Sequence, residues 1–205
     1  MKLHNVQQGT AAWLKVRAGI PTASQAHRIL TPTGKVSSQA ELYMHELIAE
    51  RLLDEPLVQH MSFWMARGSS LEKEAVAYFE LLQDVTTTPV GFVTNDAGTI
   101  GASPDRLIGK DGLLEIKCPS AGQHVLNLFH KPVDKKHYPQ IQTQLWVTER
   151  AETWILSYYP GLPEALIRVE RDEEYIEALA KLVTGFVGQL EARFEKVKEI
   201  IGGEV

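Results

Sequence analysis

The chain of 205 residues contains one cysteine, Cys118, which excludes an internal disulfide and any zinc site built on paired thiolates. A lone thiol points to a reducing compartment, and a cytoplasmic protein is expected. No run of about 18 apolar residues occurs, so no transmembrane helix and no membrane partner are expected. The opening MKLHNVQQGTAAWLKVRAG lacks the apolar core of a signal peptide. The 7 histidines show no paired metal-binding spacing, and none is assigned as a ligand. Positive charge is not in excess: 21 Lys and Arg stand against 26 Asp and Glu. That balance argues against a passive nucleic-acid coat, but not against an enzyme that grips DNA in one local basic groove. Repeats and long linkers are absent, and the length suits a single domain over residues 1–205 that buries its own core.

The patterns that are present suggest helices, then strands, then a helix, two strands and a final helix. Residues 23–30 read as a short helix capped near Thr22. Ser38 and Glu41 have capping-box spacing ahead of a stripe of Leu42, Leu47, Ile48, Leu52 and Leu53. A second helix follows Ser69-Ser70, with Leu71, Ala75, Tyr78, Phe79 and Leu82 on one face. TTTPVGFVTN, residues 100–103, 106–108 and 113–118 read as strands, the last two around a Lys110-Asp111-Gly112 turn. Residues 136–148 form a helix with Pro139 in its first turn; TWILSYY and EALIRVE are strands. A long amphipathic helix starts after Asp172 as N-cap, with an apolar side from Tyr175 to Val197. The fold class is α/β (α+β), a central mixed β-sheet flanked by helices.

The densest chemistry lies in GASPDRLIGKDGLLEIKCP, residues 101–119. Side chains two apart on a strand share a face, so Glu115 and Lys117 point one way and Leu114 and Ile116 the other, into a core. The hairpin can bring Asp105 across toward Glu115, although the register stays open. Two adjacent carboxylates repel unless positive charge lies between them. Mg2+ prefers oxygen ligands and keeps several waters, so Asp105, Glu115 and the Ile116 carbonyl suit it. Lys117 alongside can orient a water and stabilise charge developing on a phosphate. A second cation, about 4 Å from the first, would assist the leaving oxygen. The set reads as phosphodiester hydrolysis. The plainer alternative is a solvated hairpin whose Glu115–Lys117 pair is worth little, and the pattern alone is short and degenerate. The apolar flanks in LLEIKCP weigh against it, because charge inside a buried strand requires a reason.

With these residues in view, the sequence resembles the PD-(D/E)XK nuclease superfamily and, within it, the lambda-type alkaline exonucleases (the YqaJ-like viral recombinases). Four ordered segments carry the resemblance: QGTAAWLKVRAGIPTAS at 8–24, ARGSSLEKEA at 66–75, SPDRL with LEIKCP, and YPQIQTQLWVT at 138–148. The resemblance implies a restriction-endonuclease-like core and an exodeoxyribonuclease using two Mg2+ ions, with Mn2+ as substitute. Such an enzyme digests one strand of double-stranded DNA in the 5′→3′ direction. It releases 5′-mononucleotides and leaves a 3′ single strand for a single-strand annealing protein. It also implies a ring-shaped homotrimer and a phage or prophage origin. By position, Asp105, Glu115 and the Ile116 carbonyl are metal ligands and Lys117 is the catalytic lysine. Glu72 lies near the second metal, directly or through water, and Gln140 contacts water or phosphate. Arg17 and Ser24, with Ser103 nearby, hold a 5′-terminal phosphate. An arginine fork suits a phosphate, and Ser24 sits near an expected helix N-terminus; without the resemblance, a surface cation and a helix cap describe them equally.

Further features stay open. Phe63, Trp64 and Met65 are core, or Met65 or Trp64 is a wedge that splits the duplex. Lys131, Lys135 and Lys136 track phosphates or lie on a solvated loop. Cys118 is expected to be small and buried. Two rival functions remain: a structure- or sequence-specific DNA endonuclease of the same superfamily, and a non-catalytic DNA-binding recombination module.

Overall fold

A computed structural model describes residues 1–57, 63–130 and 137–202, without the side chains of 63–69. Its framework is a five-stranded mixed sheet. The strands are β2 (Thr87–Pro89), β5 (Arg106–Ile108), β6 (Gly112–Lys117), β7 (Glu152–Ser157) and β8 (Ala165–Glu170), in the order β2-β5-β6-β7-β8. Only β6 and β7 run parallel. Their connection carries two helices, α4 (Ala121–His130) and α5 (Tyr138–Thr148), as a parallel crossover requires. A smaller sheet joins β1 (Lys2–His4), β3 (Phe92–Thr94) and β4 (Gly101–Ala102).

The strand period sorts β6 between two cores. Leu114 and Ile116 pack with Ala75 and Phe79 of α3 (Phe63–Gln83) and with Leu156 and Tyr158. Leu113, on the opposite face, packs with Ile141 and Leu145 of α5, and with Val169 and Ile176. Glu115 shares that second face and therefore looks toward α5. The third cluster joins α2 (Ala40–Leu53), the small sheet and α6 (Glu173–Ile200). The long apolar side of α6 is used there, through Leu179, Val183, Phe186 and Leu190, and Asp172 caps the helix by accepting from the Tyr175 N–H at 2.9 Å.

Several local expectations are corrected. The segment after Thr22 is a six-residue 310 helix, Ala23–Arg28, and the Thr22 side chain makes no cap bond. The Ser38–Glu41 capping box does not form: Gln39 occupies the N-cap of α2 without a side-chain bond, and Glu41 accepts instead from Arg193 of α6. Tertiary contact with α6 outcompeted the local cap. Leu42 and Leu53 of the expected stripe are exposed, while Tyr43 and Met44 are buried with Leu47 and Ile48, so the buried face is rotated. Helix α3 begins at Phe63, before Ser69-Ser70. TTTPVGFVTN is split, with β2 in one sheet and β3 in the other. Gly91 lies at the change-over; a Cβ there would stand 2.0 Å from the Val6 carbonyl oxygen, so only glycine fits. Helix α4 was not anticipated, and Cys118 is half-buried.

Candidate functional site

The hairpin register settles how the carboxylates meet. Arg106 pairs with Leu114 across β5 and β6, which leaves Asp105 and Glu115 as the next opposed positions. Asp105 Oδ2 accepts from the Ile116 N–H at 2.6 Å, tying it to β6. Burial and the neighbouring Glu115 push the Asp105 carboxyl well above the usual carboxylate range; Glu72 adds to this, against the Ile116 N–H and Lys117. Glu72 of α3 is thus close enough to Asp105 to act on it electrostatically.

Glu115 is 5% exposed and is held by three donors. Its Oε1 accepts from Lys117 Nζ at 2.7 Å and from Gln140 Nε2 at 2.8 Å, and its Oε2 accepts from Gln144 Nε2 at 2.8 Å. Gln140 and Gln144 stand one turn apart on α5, so both side chains reach the same point on the sheet. Burial pulls the Lys117 ammonium down, but Glu115 and Asp105 together leave it above its ordinary value. Asp105, Glu115, Lys117 and Gln140 are therefore gathered in one place, and Glu72 reaches the group only through its charge on Asp105. Gln144 is an addition, one turn beyond Gln140 on the same face of α5.

The donor set suits a hard divalent cation. Two carboxylates and the strand carbonyl at Ile116 offer oxygen only, and the pair is costly to ionise without a counter-charge. Among the described residues, no cluster of three or more His, Cys, Asp or Glu side chains is gathered as a ready-made metal cage.

A second constellation lies beside the first. The Arg17 NH2 group donates to Ser24 Oγ at 3.4 Å, and the guanidinium stacks 3.7 Å from the Trp13 ring centroid. The Trp13 indole N–H in turn donates to Ser103 Oγ at 2.9 Å. Both Trp13 and Arg17 belong to α1 (Ala11–Arg17), one turn apart. Thr22 bridges Gly101 in parallel, which brings the Ser24 and Ser103 segments together. The indole can only donate, so Ser103 Oγ accepts from it and keeps its own proton for another partner. Arg17 Nε is buried without a partner among the described residues, and burial pulls the guanidinium below its ordinary value. Such a cation favours an anion. Ser103 and Asp105 are two residues apart, at most about 7 Å of extended chain, so the two constellations adjoin.

A family model described as the YqaJ-like viral recombinase domain matches residues 12–151, which include both constellations. The chain belongs to this family. Among solved structures, the YqaJ-like chain is similar to an alkaline exonuclease, LHK-Exo, from Laribacter hongkongensis: 32% identity, TM-score 0.86, covering 95% of this chain and 99% of the other. The same enzyme in complex with dAMP matches with TM-score 0.85 and 32% identity, covering 95% and 99%. A phage-related exonuclease from Haemophilus somnus 129PT, 15% identical, has the same fold at TM-score 0.71, covering 87% of this chain and 96% of that one. A search of curated proteins returns no match. Family, fold and relatives place the chain among the nucleases.

Some expected site residues fall elsewhere. Trp64 and Met65, and Phe63 beside them, lie on the α3 backbone, but their side chains are outside the described residues. Lys131, Lys135 and Lys136 are also outside them. Ser24 is exposed and opens a 310 helix too short to act as an anion-binding terminus, so its contribution is its hydroxyl next to Arg17. His124, assigned no catalytic part, is fully buried between Ser157 Oγ and the Pro163 carbonyl, each at 2.9 Å. No described helix is long and apolar enough to cross a membrane.

Proposed function

We propose that this nuclease is a Mg2+-dependent exonuclease that degrades one strand of double-stranded DNA from its 5′ end, releasing 5′-mononucleotides and leaving a 3′ single strand. The observation that carries this is the half-buried Asp105 set against the buried Glu115, with Lys117 beside them, on the hairpin that α5 covers. Asp105, Glu115 and the Ile116 carbonyl would hold one cation, and Glu72 would sit near a second. Bound there, Mg2+ or Mn2+ would activate water and neutralise phosphate charge. Lys117 holds an ammonium where the phosphate gains negative charge, and Gln140 orients a water or phosphate oxygen while it grips Glu115.

The reaction forms a bond from a water oxygen to phosphorus and breaks the bond from phosphorus to O3′. The O3′ takes up a proton and leaves on the released nucleotide, which carries its original 5′-phosphate. The shortened strand carries a new 5′-phosphate, so the group that Arg17, Ser24 and Ser103 would hold is renewed at each turnover. An end-binding group next to the hydrolytic pair favours exonuclease over endonuclease. LHK-Exo has been crystallised with dAMP, a mononucleotide, in keeping with that product class.

We extend this proposal to the setting that membership of this family suggests: a phage or prophage protein acting in the bacterial cytoplasm, with a single-strand annealing protein receiving the 3′ strand, and a homotrimeric ring that keeps the enzyme on its substrate. The test is linear duplex DNA with Mg2+ or Mn2+, set against covalently closed circles and against EDTA. Nucleotide release from linear DNA alone, abolished by EDTA, is the expected result. Cutting of closed circles would turn the reading to an endonuclease, and metal-independent binding without cleavage to a recombination module.

A further inference from the structure

Gln144 stands out among the buried polar residues of α5. Thr143 and Thr148 turn their hydroxyls back to the carbonyls of Pro139 and Gln144, and Gln142 ties the Glu170 carbonyl to the Asp172 N–H. Gln144, 1% exposed, instead directs its amide to Glu115. Its Nε2 must face the carboxylate, because two oxygens in contact would repel. The amide Oε1 is consequently left buried, with no hydrogen-bond partner among the described residues. An unmet acceptor in a folded interior calls for an explanation, and here the side chain forgoes one bond in order to donate the other.

The division of labour on Glu115 supplies that explanation. Lys117 and Gln140 both approach Oε1, whereas among the bonds of the described residues Oε2 has Gln144 alone. An ionised carboxylate offers about four lone-pair positions. Three are taken by donors on two elements, and one remains. Fixing both oxygens fixes the plane of the carboxylate; with Oε1 alone held, the group can rock about that contact.

We propose that Gln144 is a positioning residue for the hydrolytic site, setting the plane of Glu115 through Oε2 so that the carboxylate meets a divalent cation in one orientation. This rests on the reading above that Glu115 binds the cation. Hydrogen-bond partners of metal ligands typically change metal affinity about 10- to 100-fold when removed.

The experiment measures Mn2+ binding to the full chain by electron paramagnetic resonance, without DNA, for the wild type, Gln144→Met, Gln144→Ser and Glu115→Gln. The methionine keeps the volume and removes the donor; the serine keeps a hydroxyl too short to reach. Both Gln144 variants should bind Mn2+ about tenfold more weakly. The metal concentration for half-maximal nucleotide release should rise by a similar factor, with KM for DNA ends unchanged at saturating metal. Mn2+ affinity within twofold of wild type in a folded variant overturns the proposal, as does a lowered melting temperature with unchanged affinity. Failure of both variants to fold overturns it too, since the residue would then be structural. If Glu115→Gln abolishes Mn2+ binding while the Gln144 variants retain it, only the role of Gln144 falls. If the wild type binds no Mn2+, or Glu115→Gln binds it as well as wild type, the metal site itself falls.

Discussion

Asp105 takes its hydrogen bond from the backbone of Ile116, at 2.6 Å, and not from another side chain. The acid on β5's threshold is thereby registered to the same strand that carries Glu115 and Lys117, and the three residues sit on one hairpin. A single-residue slip between β5 and β6 would turn Glu115 toward α3 and dismantle the site.

Lys117→Ala should abolish most nucleotide release while leaving the fold intact. The ammonium is one third exposed at its side chain, so its loss opens no large cavity, but it leaves Glu115 without its only cationic partner among the described residues. A fall in kcat of about 100-fold or more is expected, by analogy with loss of one charge-stabilising donor. Steady-state rates on linear duplex, alongside a thermal melt, read both quantities. Activity near wild type would remove Lys117 from the chemistry.

Arg17→Ala should discriminate between DNA ends. A charge-assisted bond to phosphate is worth about 1.5–3 kcal/mol, so kcat/KM for 5′-phosphorylated duplex should fall about 10- to 100-fold. Ends bearing a 5′-hydroxyl should lose much less. Trp13→Leu removes both the stack on Arg17 and the donor to Ser103, and should lower the same preference by about three- to tenfold. Equal losses on the two ends would count against an end-phosphate pocket.

Gly91→Ala is expected to destabilise the chain by about 1–3 kcal/mol, since the new Cβ would meet backbone that has no freedom to withdraw. The atoms in the way are the carbonyl oxygens of Val6, at 2.0 Å, and His4, at 2.7 Å. Urea denaturation measures it. An unchanged midpoint would mean that the N-terminal segment does not pack here in solution.

Asp172→Ala should cost about 1 kcal/mol at neutral pH, the usual worth of a helix N-cap. The Tyr138 hydroxyl, at 2.6 Å, and the Tyr175 N–H hold the Asp172 carboxyl below its ordinary value. A depressed carboxylate contributes its stability fully above the unfolded value of about 3.9 and loses it as pH falls through the folded one. The gap between wild type and variant should therefore narrow on acidification below about pH 4. Paired urea titrations at neutral and acidic pH would reveal it; a gap that widens in acid would contradict the assignment.

The hairpin, the α5 segment and the long terminal helix were legible in advance because their signals are local. Turn residues at Lys110-Asp111-Gly112, alternation through Leu113 to Lys117, and the stripe beyond Asp172 all follow from backbone periods. Helix α4 was missed because its pattern is inverted: Val125, Leu126 and Phe129 are exposed while the polar His124 is the buried residue, so the apolar positions do not mark an inward face. The capping box failed because Glu41 meets Arg193, a partner 152 positions away. Gln144 and Trp13 escaped notice for a related reason: a glutamine or tryptophan in a helix carries no mark of function until its target is known.

By itself, the chain's order of residues determined which strand would carry an acid and a lysine on one face, where the turns fall, and which family's motifs appear in succession. Only tertiary structure decided that Asp105 docks on the Ile116 backbone, that two glutamines from α5 reach the two oxygens of Glu115, and that Trp13, stacked on Arg17, reaches Ser103. Periodicity acts between near neighbours along the chain, whereas these contacts span from 11 residues, for Asp105 and Ile116, to 90, for Trp13 and Ser103. Their geometry is set by how sheet and helices pack, and no local pattern encodes it.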